Sequence, residues 1–139
     1  MMKIDGGCHC GYVAYEAVID TEEVGICHCT DCQTLSGSAF RTYVLATKDA
    51  FRILAGQPKI YVKTAVSGAK RVQAFCPECG TPIYSAAPTD PKIFSIRAGT
   101  ARQRNDLVPK RQIWSRSAQS WIMALASVDR FDEQPPMRL

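Results

Sequence analysis

Seven cysteines stand in three short clusters, and none lies outside them. Cys8 and Cys10 fall in "GGCHCGYVAY", Cys27, Cys29 and Cys32 in "CHCTDC", and Cys76 and Cys79 in "AFCPECGTPIY". Thiols crowded this way pair as disulfides, react, or hold metal, and an odd number cannot be consumed by internal pairing. The opening "MMKIDGGCHC" lacks the apolar stretch of a secretory signal, and the best apolar run, "WIMALASV" from Trp121 to Val128, is well short of the roughly 20 residues of a membrane span. The expectation is a cytoplasmic chain with no membrane association. In that reducing setting clustered cysteines hold metal more often than disulfides.

At 139 residues, 46% of them hydrophobic, the chain fits one domain with one core over residues 1–139. The polar, proline-rich end "DEQPPMRL" (132–139) reads as a flexible tail. Segments rich in β-branched and aromatic residues predict strands over Tyr12 to Ile19, Ala39 to Thr47, Phe51 to Leu54, Lys59 to Val66, Arg71 to Phe75 and Ile93 to Ala98. Turn signals separate them at Gly6-Gly7, Ala55 to Pro58, Ser67-Gly68 and Thr89 to Pro91. The fold class is therefore mainly β with antiparallel sheets. At most one short helix is expected, from Ser117 to Ala126 with Ser117 as its cap.

Charge is uneven. Residues 1–33 hold six acids against Lys3, whereas residues 92–116 hold seven bases against Asp106. Positive charge concentrated in one segment favours an anionic partner such as a small carboxylate. The net charge of +4 is too small to argue for nucleic acid, and none is expected.

Spacing suggests how the sulfur is divided. In extended chain residues i and i+2 point the same way, so Cys8 and Cys10 can share one ion, as can Cys27 and Cys29. His9 and His28 then point to the other side and suit second-shell hydrogen bonds or the surface. "CPECG" is a C-x-x-C turn, with Gly80 permitting a sharp reversal. A structural zinc takes four protein ligands and a catalytic one takes three. Keeping the clusters whole gives Cys8, Cys10, Cys76 and Cys79 for a closed structural zinc, and Cys27, Cys29 and Cys32 for an open one. A second partition joins Cys27 and Cys29 to Cys76 and Cys79, but it splits the tightest cluster. A distant fourth ligand such as His9 or Asp31 would close the open site. Three thiolates on Zn²⁺ leave one negative charge, which the basic 92–116 segment would ease.

These motifs, with "IWSRSAQSW" near the C-terminus, resemble the glutathione-dependent formaldehyde-activating enzyme family, to which centromere protein V also belongs. The resemblance runs from Gly6 to about Trp121. It implies a zinc-stapled β fold of the β-tent (Mss4-like) type and the same partition of two zinc ions per chain, with Cys27, Cys29 and Cys32 catalytic through their metal. The implied activity is that of a carbon–sulfur lyase joining formaldehyde to a small thiol, glutathione, as S-(hydroxymethyl)glutathione. Ser36, Ser38 or water at the open position would then protonate the developing alkoxide. Arg97, with Lys110 and Arg111, is a candidate for pairing with a substrate carboxylate. Trp114 and Trp121 suit core or pocket walls. Two positions depart from the family's pattern: Gln33 stands where relatives often carry a base, and Gln112 where they frequently carry His. Two other readings of the same motifs are a zinc-stapled binding module without catalysis and a sensor of metal or thiol stress.

Overall fold

The computed structural model describes residues 1–136. Its strands, in chain order, are β1 (Met2–Gly7), β2 (Ala14–Ile19), β3 (Val24–Cys27), β4 (Arg41–Thr47), β5 (Phe51–Ala55), β6 (Lys59–Thr64), β7 (Lys70–Phe75), β8 (Pro82–Ala86), β9 (Ile93–Arg97) and β10 (Arg111–Ile113). They form two sheets, a small one in the order β1-β2-β5 and a large one in the order β10-β3-β4-β9-β8-β7-β6. Every pairing is antiparallel except that of β10 with β3, which is parallel. The mainly β class expected from the sequence is what the chain adopts, with one short α-helix, α1 (Thr30–Ser36).

The two sheets bury one core between them. On β2, Tyr15, Ala17 and Ile19 are buried at alternate positions, as a strand with one face inward requires. Val44 and Ala46 of β4 and Ile96 of β9 meet them, joined by Ile4, Val13, Val24 and Ile83. Phe51, Tyr84 and Phe94 stack at the margin with ring centroids 4.9–5.4 Å apart. Each fully buried aliphatic side chain contributes about 1.5–3 kcal/mol relative to exposure.

The period of two leaves the other face of the large sheet for different residues. Arg41, Tyr43 and Leu45 alternate with Val44 and Ala46 on β4, and Ser95 and Arg97 alternate with Phe94 and Ile96 on β9. Register then lines them up: Cys27 lies opposite Arg41, Gly25 opposite Tyr43, and Tyr43 opposite Arg97. Leu45 pairs with Ser95, Ser95 with Ser85, and Ser85 with Gln73. One face is oil and the other is a polar floor.

The helix is not where the sequence placed it. Ser117 to Ala126 forms no α-helix. Instead 3-10 turns occupy Ser115–Ser117 and Ile122–Ser127, the latter broken at Ala124 (φ −105°, ψ 18°). Trp121, Met123 and Leu125 of this stretch are exposed, so no packed face supports a regular helix. Of the expected tail, residues 132–136 carry no strand or helix and are exposed, and 137–139 lie outside the described residues. Among the described residues no helix is long and apolar enough to cross a membrane.

Gly25 is buried against the Tyr43 ring, and a Cβ there would stand 2.5 Å from the Tyr43 Cζ and hydroxyl oxygen. Gly25→Ala should therefore push Tyr43 off its seat and lower stability by about 1–3 kcal/mol, read as a lower urea midpoint with an unchanged slope. An unchanged midpoint would mean that the ring moves freely.

Candidate metal centre and its cleft

The seven thiols gather into two groups. Cys8, Cys10, Cys76 and Cys79 form one and Cys27, Cys29 and Cys32 the other, with the sulfur atoms of each group all within 4.8 Å of one another. None is in a disulfide. The Sγ separations of 3.6 Å (Cys8 to Cys10) and 3.8 Å (Cys10 to Cys76) far exceed an S–S bond of about 2.05 Å. They match the edge of about 3.8 Å that four sulfurs at 2.3 Å from a tetrahedral zinc would define. The donor set therefore fits a metal by its chemistry and its spacing.

The four-thiol group is made of two turns. Cys8 and Cys10 follow β1 in a turn rather than in extended chain, which corrects the strand argument for this pair: the Cys8 amide donates to the Val13 carbonyl (3.1 Å), and Gly11 takes φ 86°. The reversal lets the Val13 amide donate to Cys8 Sγ at 3.2 Å. "CPECG" forms the opposing turn, closed by the Gly80 amide on the Cys76 carbonyl (2.9 Å) with Gly80 at φ 79°. The Glu78 amide donates to Cys76 Sγ at 3.4 Å. The exposed His9 donates its amide to the Thr81 hydroxyl, 3.1 Å away, binding one turn to the other. The Thr81 hydroxyl, and the amides of Thr81 and Cys10, bring the Cys79 thiol down to about 5. Backbone donors thus support thiolate sulfur here before any cation is considered.

The three-thiol group spans the end of a strand and the start of a helix. Cys27 closes β3, Cys29 is the N-cap of α1, and Cys32 sits in the first turn. Cys29 caps with sulfur, accepting the Cys32 amide at 3.3 Å. Gly37 ends the helix in the left-handed region at φ 63°. Cys32 as hydrogen-bond donor holds the Cys27 thiol below its ordinary range, against the opposing effect of burial. Cys32 is correspondingly pushed up by giving its proton to Cys27 and by burial. Of this pair, Cys27 is the thiol more ready to ionise. No fourth His, Cys, Asp or Glu joins this group among the described residues. Asp31 is engaged elsewhere, paired with Lys63 at 2.9 Å.

The trio opens on a cleft of about 350 Å³, walled by Leu35 of α1 and by Trp114 and floored by the polar face of the large sheet. Arg41, Tyr43, Arg71, Gln73, Ser85 and Arg97 are on that floor. Arg41 and Arg97 are buried, and both donate to Gln73 Oε1, at 3.3 and 2.8 Å. Burial, and then the neighbouring Arg41 charge, bring Arg97 down to about 9, so it stays charged at neutral pH. Trp114 takes φ 56° directly after β10, with the Arg116 guanidinium 4.9 Å from its ring centroid.

Among the substrate-binding candidates, Arg97 and Trp114 line this cleft, while Ser36 and Ser38 are exposed at the end of α1 and do not. The Ser36 hydroxyl donates to the Gln33 carbonyl at 3.4 Å. Of the basic 92–116 segment only Arg97 reaches the cleft. Lys110 pairs with Glu22 at 3.9 Å, Arg111 with Glu23 at 3.4 Å, and Arg102 with Asp5. The remaining positive charge comes from Arg41, Lys63 and Arg71, which the sequence reading missed although Arg71-x-Gln73 and Ser95-x-Arg97 show a period-two polar pattern. Gln33 and Gln112 both act as internal ties. Gln33 Nε2 donates to the carbonyls of His28 (2.7 Å) and Ser117 (2.9 Å), and Gln112 Oε1 lies 2.7 Å from Nε2 of the buried His28. They fasten α1 and the Trp114 turn beside the trio.

Because each bound thiol must shed its proton, metal affinity at both groups should fall by more than about tenfold per unit of pH lowered beneath neutrality. A chromophoric chelator should also strip the three-thiol group first, since a vacant position exposes the metal to exchange. Simultaneous loss from both groups would contradict their different closure.

Comparison with known proteins agrees with this arrangement. The family model described as glutathione-dependent formaldehyde-activating enzyme matches residues 3–117. An uncharacterized lyase of Schizosaccharomyces pombe is 26% identical over 98 residues, which is 70% of this chain and 68% of that protein. A Rhodobacter sphaeroides protein of known crystal structure superposes with a TM-score of 0.60 at 18% identity, over 78% of this chain and 98% of the other, a likeness of fold. With the family model covering every cysteine cluster and most of both sheets, the chain belongs to the glutathione-dependent formaldehyde-activating enzyme family.

Proposed function

We propose that residues 1–139 act as a single zinc-binding domain with carbon–sulfur lyase-type activity on a small thiol adduct. The reaction we assign is the joining of formaldehyde and glutathione as S-(hydroxymethyl)glutathione. Family membership and the lyase name of the yeast relative support the reaction class. The observation that carries the reading is the trio of Cys27, Cys29 and Cys32, which lacks a fourth protein ligand among the described residues and faces a cleft. Cys8, Cys10, Cys76 and Cys79 take the structural role, since four thiols leave no vacancy. Seven unbridged cysteines suit a reducing cytoplasm.

A zinc held by the trio would supply a Lewis-acid position that keeps an incoming thiol ionised at neutral pH. The chain's own residues do the rest. Arg41 and Arg97 add a positive field that favours thiolate over thiol at the mouth of the trio. The thiol gives up its proton to solvent, its sulfur adds to the formaldehyde carbon, the carbonyl electron pair moves to oxygen, and that oxygen takes a proton from a donor that solvent then reprotonates. With Ser36 and Ser38 outside the cleft, we assign the donor to Tyr43, whose hydroxyl burial keeps protonated. Trp114 and Leu35 limit water at the reacting atoms.

Cys29→Ser should remove about one metal ion per chain and abolish the acceleration of adduct formation, measured by exchange NMR between free and adduct glutathione, while leaving a cooperative thermal transition. Cys79→Ser should instead lose the folded state at 37 °C, because the turns it joins are far apart in sequence. A Cys29 variant that unfolds as badly as the Cys79 variant makes both groups structural and defeats the enzyme reading.

A further inference from the structure

Three arginines on the cleft floor have no acidic partner. Arg41, Arg71 and Arg97 form no ion pair among the described residues, whereas Arg52, Arg102 and Arg111 all do. Arg41 is 6% exposed and Arg97 8%. Arg41 Nε and Nη2 and Arg97 Nε are buried without any acceptor; Arg41 Nη1 and Arg97 Nη2 share the one neutral oxygen of Gln73, and Arg97 Nη1 has only a long donation to Ser95 Oγ at 3.4 Å. Burying like charges this way costs several kcal/mol per ion unless a counter-charge arrives. A zinc-loaded trio contributes one negative charge, leaving two positive charges on the floor unanswered. Formaldehyde is neutral and calls for neither arginine, so the counter-charge must come from a carboxylate-bearing ligand, a class that includes glutathione.

A second cavity of about 490 Å³ adjoins the first and shares Leu35, Arg41, Gln73 and Arg97 with it. Its other walls are largely apolar, with Ile60, Tyr61, Phe75, Pro82 and Tyr84 among them. The arginine pair thus stands between a sulfur-bearing chamber and an apolar one. Arg suits this place because its planar fork grips both oxygens of a carboxylate.

We propose that Arg41 and Arg97, bridged by Gln73, form a seat for the carboxylate of a small ligand whose apolar substituent lies against Tyr61 and Phe75. The reacting end of that ligand then points toward Cys27, Cys29 and Cys32, and only this last placement rests on the lyase reading. The carboxylate belongs either to the thiol or to its carbonyl partner, and the seat is the same for both.

The test is calorimetric titration of the zinc-loaded protein with phenylacetate, acetate and phenylacetamide. Phenylacetate should bind about tenfold or more tighter than acetate, which lacks the ring, and than phenylacetamide, which lacks the charge. Arg97→Gln should abolish that preference for the acid at unchanged melting temperature. Should Arg97→Gln fail to fold, Tyr61→Ser, at a position 54% exposed, should weaken phenylacetate and leave acetate unaltered. Equal binding of acid and amide, no binding of any acid, or an indifferent Tyr61→Ser variant would overturn the seat. 2-Mercapto-3-phenylpropanoate and phenylpyruvate then place the same carboxylate and ring on the thiol or on the carbonyl partner. Tighter binding of either supports the seat and names the source, and binding of neither overturns it. A protein that binds phenylacetate but does not accelerate glutathione addition keeps this proposal and loses the lyase reading.

Discussion

Four sulfurs held within 4.8 Å of one another carry a constraint that the rest of the chain obeys. As thiolates they repel, and as thiols they fill a crowded turn with weak hydrogen bonds. Only a cation between them turns the arrangement into a net attraction. The reward is topological. Cys8 and Cys10 sit beyond the small sheet's first strand and Cys76 and Cys79 between two strands of the large one, so a shared ion would fasten sheet to sheet at one end of the core. The His9 to Thr81 hydrogen bond and the amide donors to Cys8 and Cys76 already shape the turns for that purpose.

A clamp of this kind would let the large sheet carry two unlike faces. Its inner face packs Val44, Ala46 and Ile96 against the small sheet, and its outer face carries arginine, glutamine, serine and tyrosine in register with Cys27. Neither face would make sense alone, because a buried arginine row needs a rigid support and a pre-set anion partner to offset its desolvation. The helix that bears Cys32 and the turn that bears Trp114 lie over the same floor, tied by Gln33 and Gln112. Gln33 and Gln112 thus serve as braces around the trio.

Much of this was legible in the sequence, and the failures have physical causes. Six strands were readable from β-branched and aromatic runs, and the partition of the cysteines matches the two clusters. β1 was missed because "MKIDGG" mixes a charge with two glycines, β3 because "VGIC" spends a position on the glycine that admits Tyr43, β8 because "PIYSA" is short and opens on a proline, and β10 because it is a three-residue edge. α1 escaped notice since "TDCQTLS" is poor in strong helix formers and begins on a sulfur cap rather than on Ser, Thr, Asp or Asn. The arginine floor was hidden for another reason. Its members come from four strands and converge only through register, so counting charge along 92–116 credited Lys110 and Arg111, which pair with Glu22 and Glu23 instead.

The central claim is that the sulfur is divided unequally, with one ion enclosed by protein and the other left with a vacancy. X-ray absorption at the zinc edge of the fully loaded, reduced protein tests it most directly. The account predicts a mean of about 3.5 sulfurs per zinc at about 2.3 Å with a minor oxygen or nitrogen shell at about 2.0–2.1 Å, the latter giving way to sulfur when a thiol is added. Four sulfurs per zinc before any thiol is present, or a loaded protein that holds one zinc alone, would contradict it.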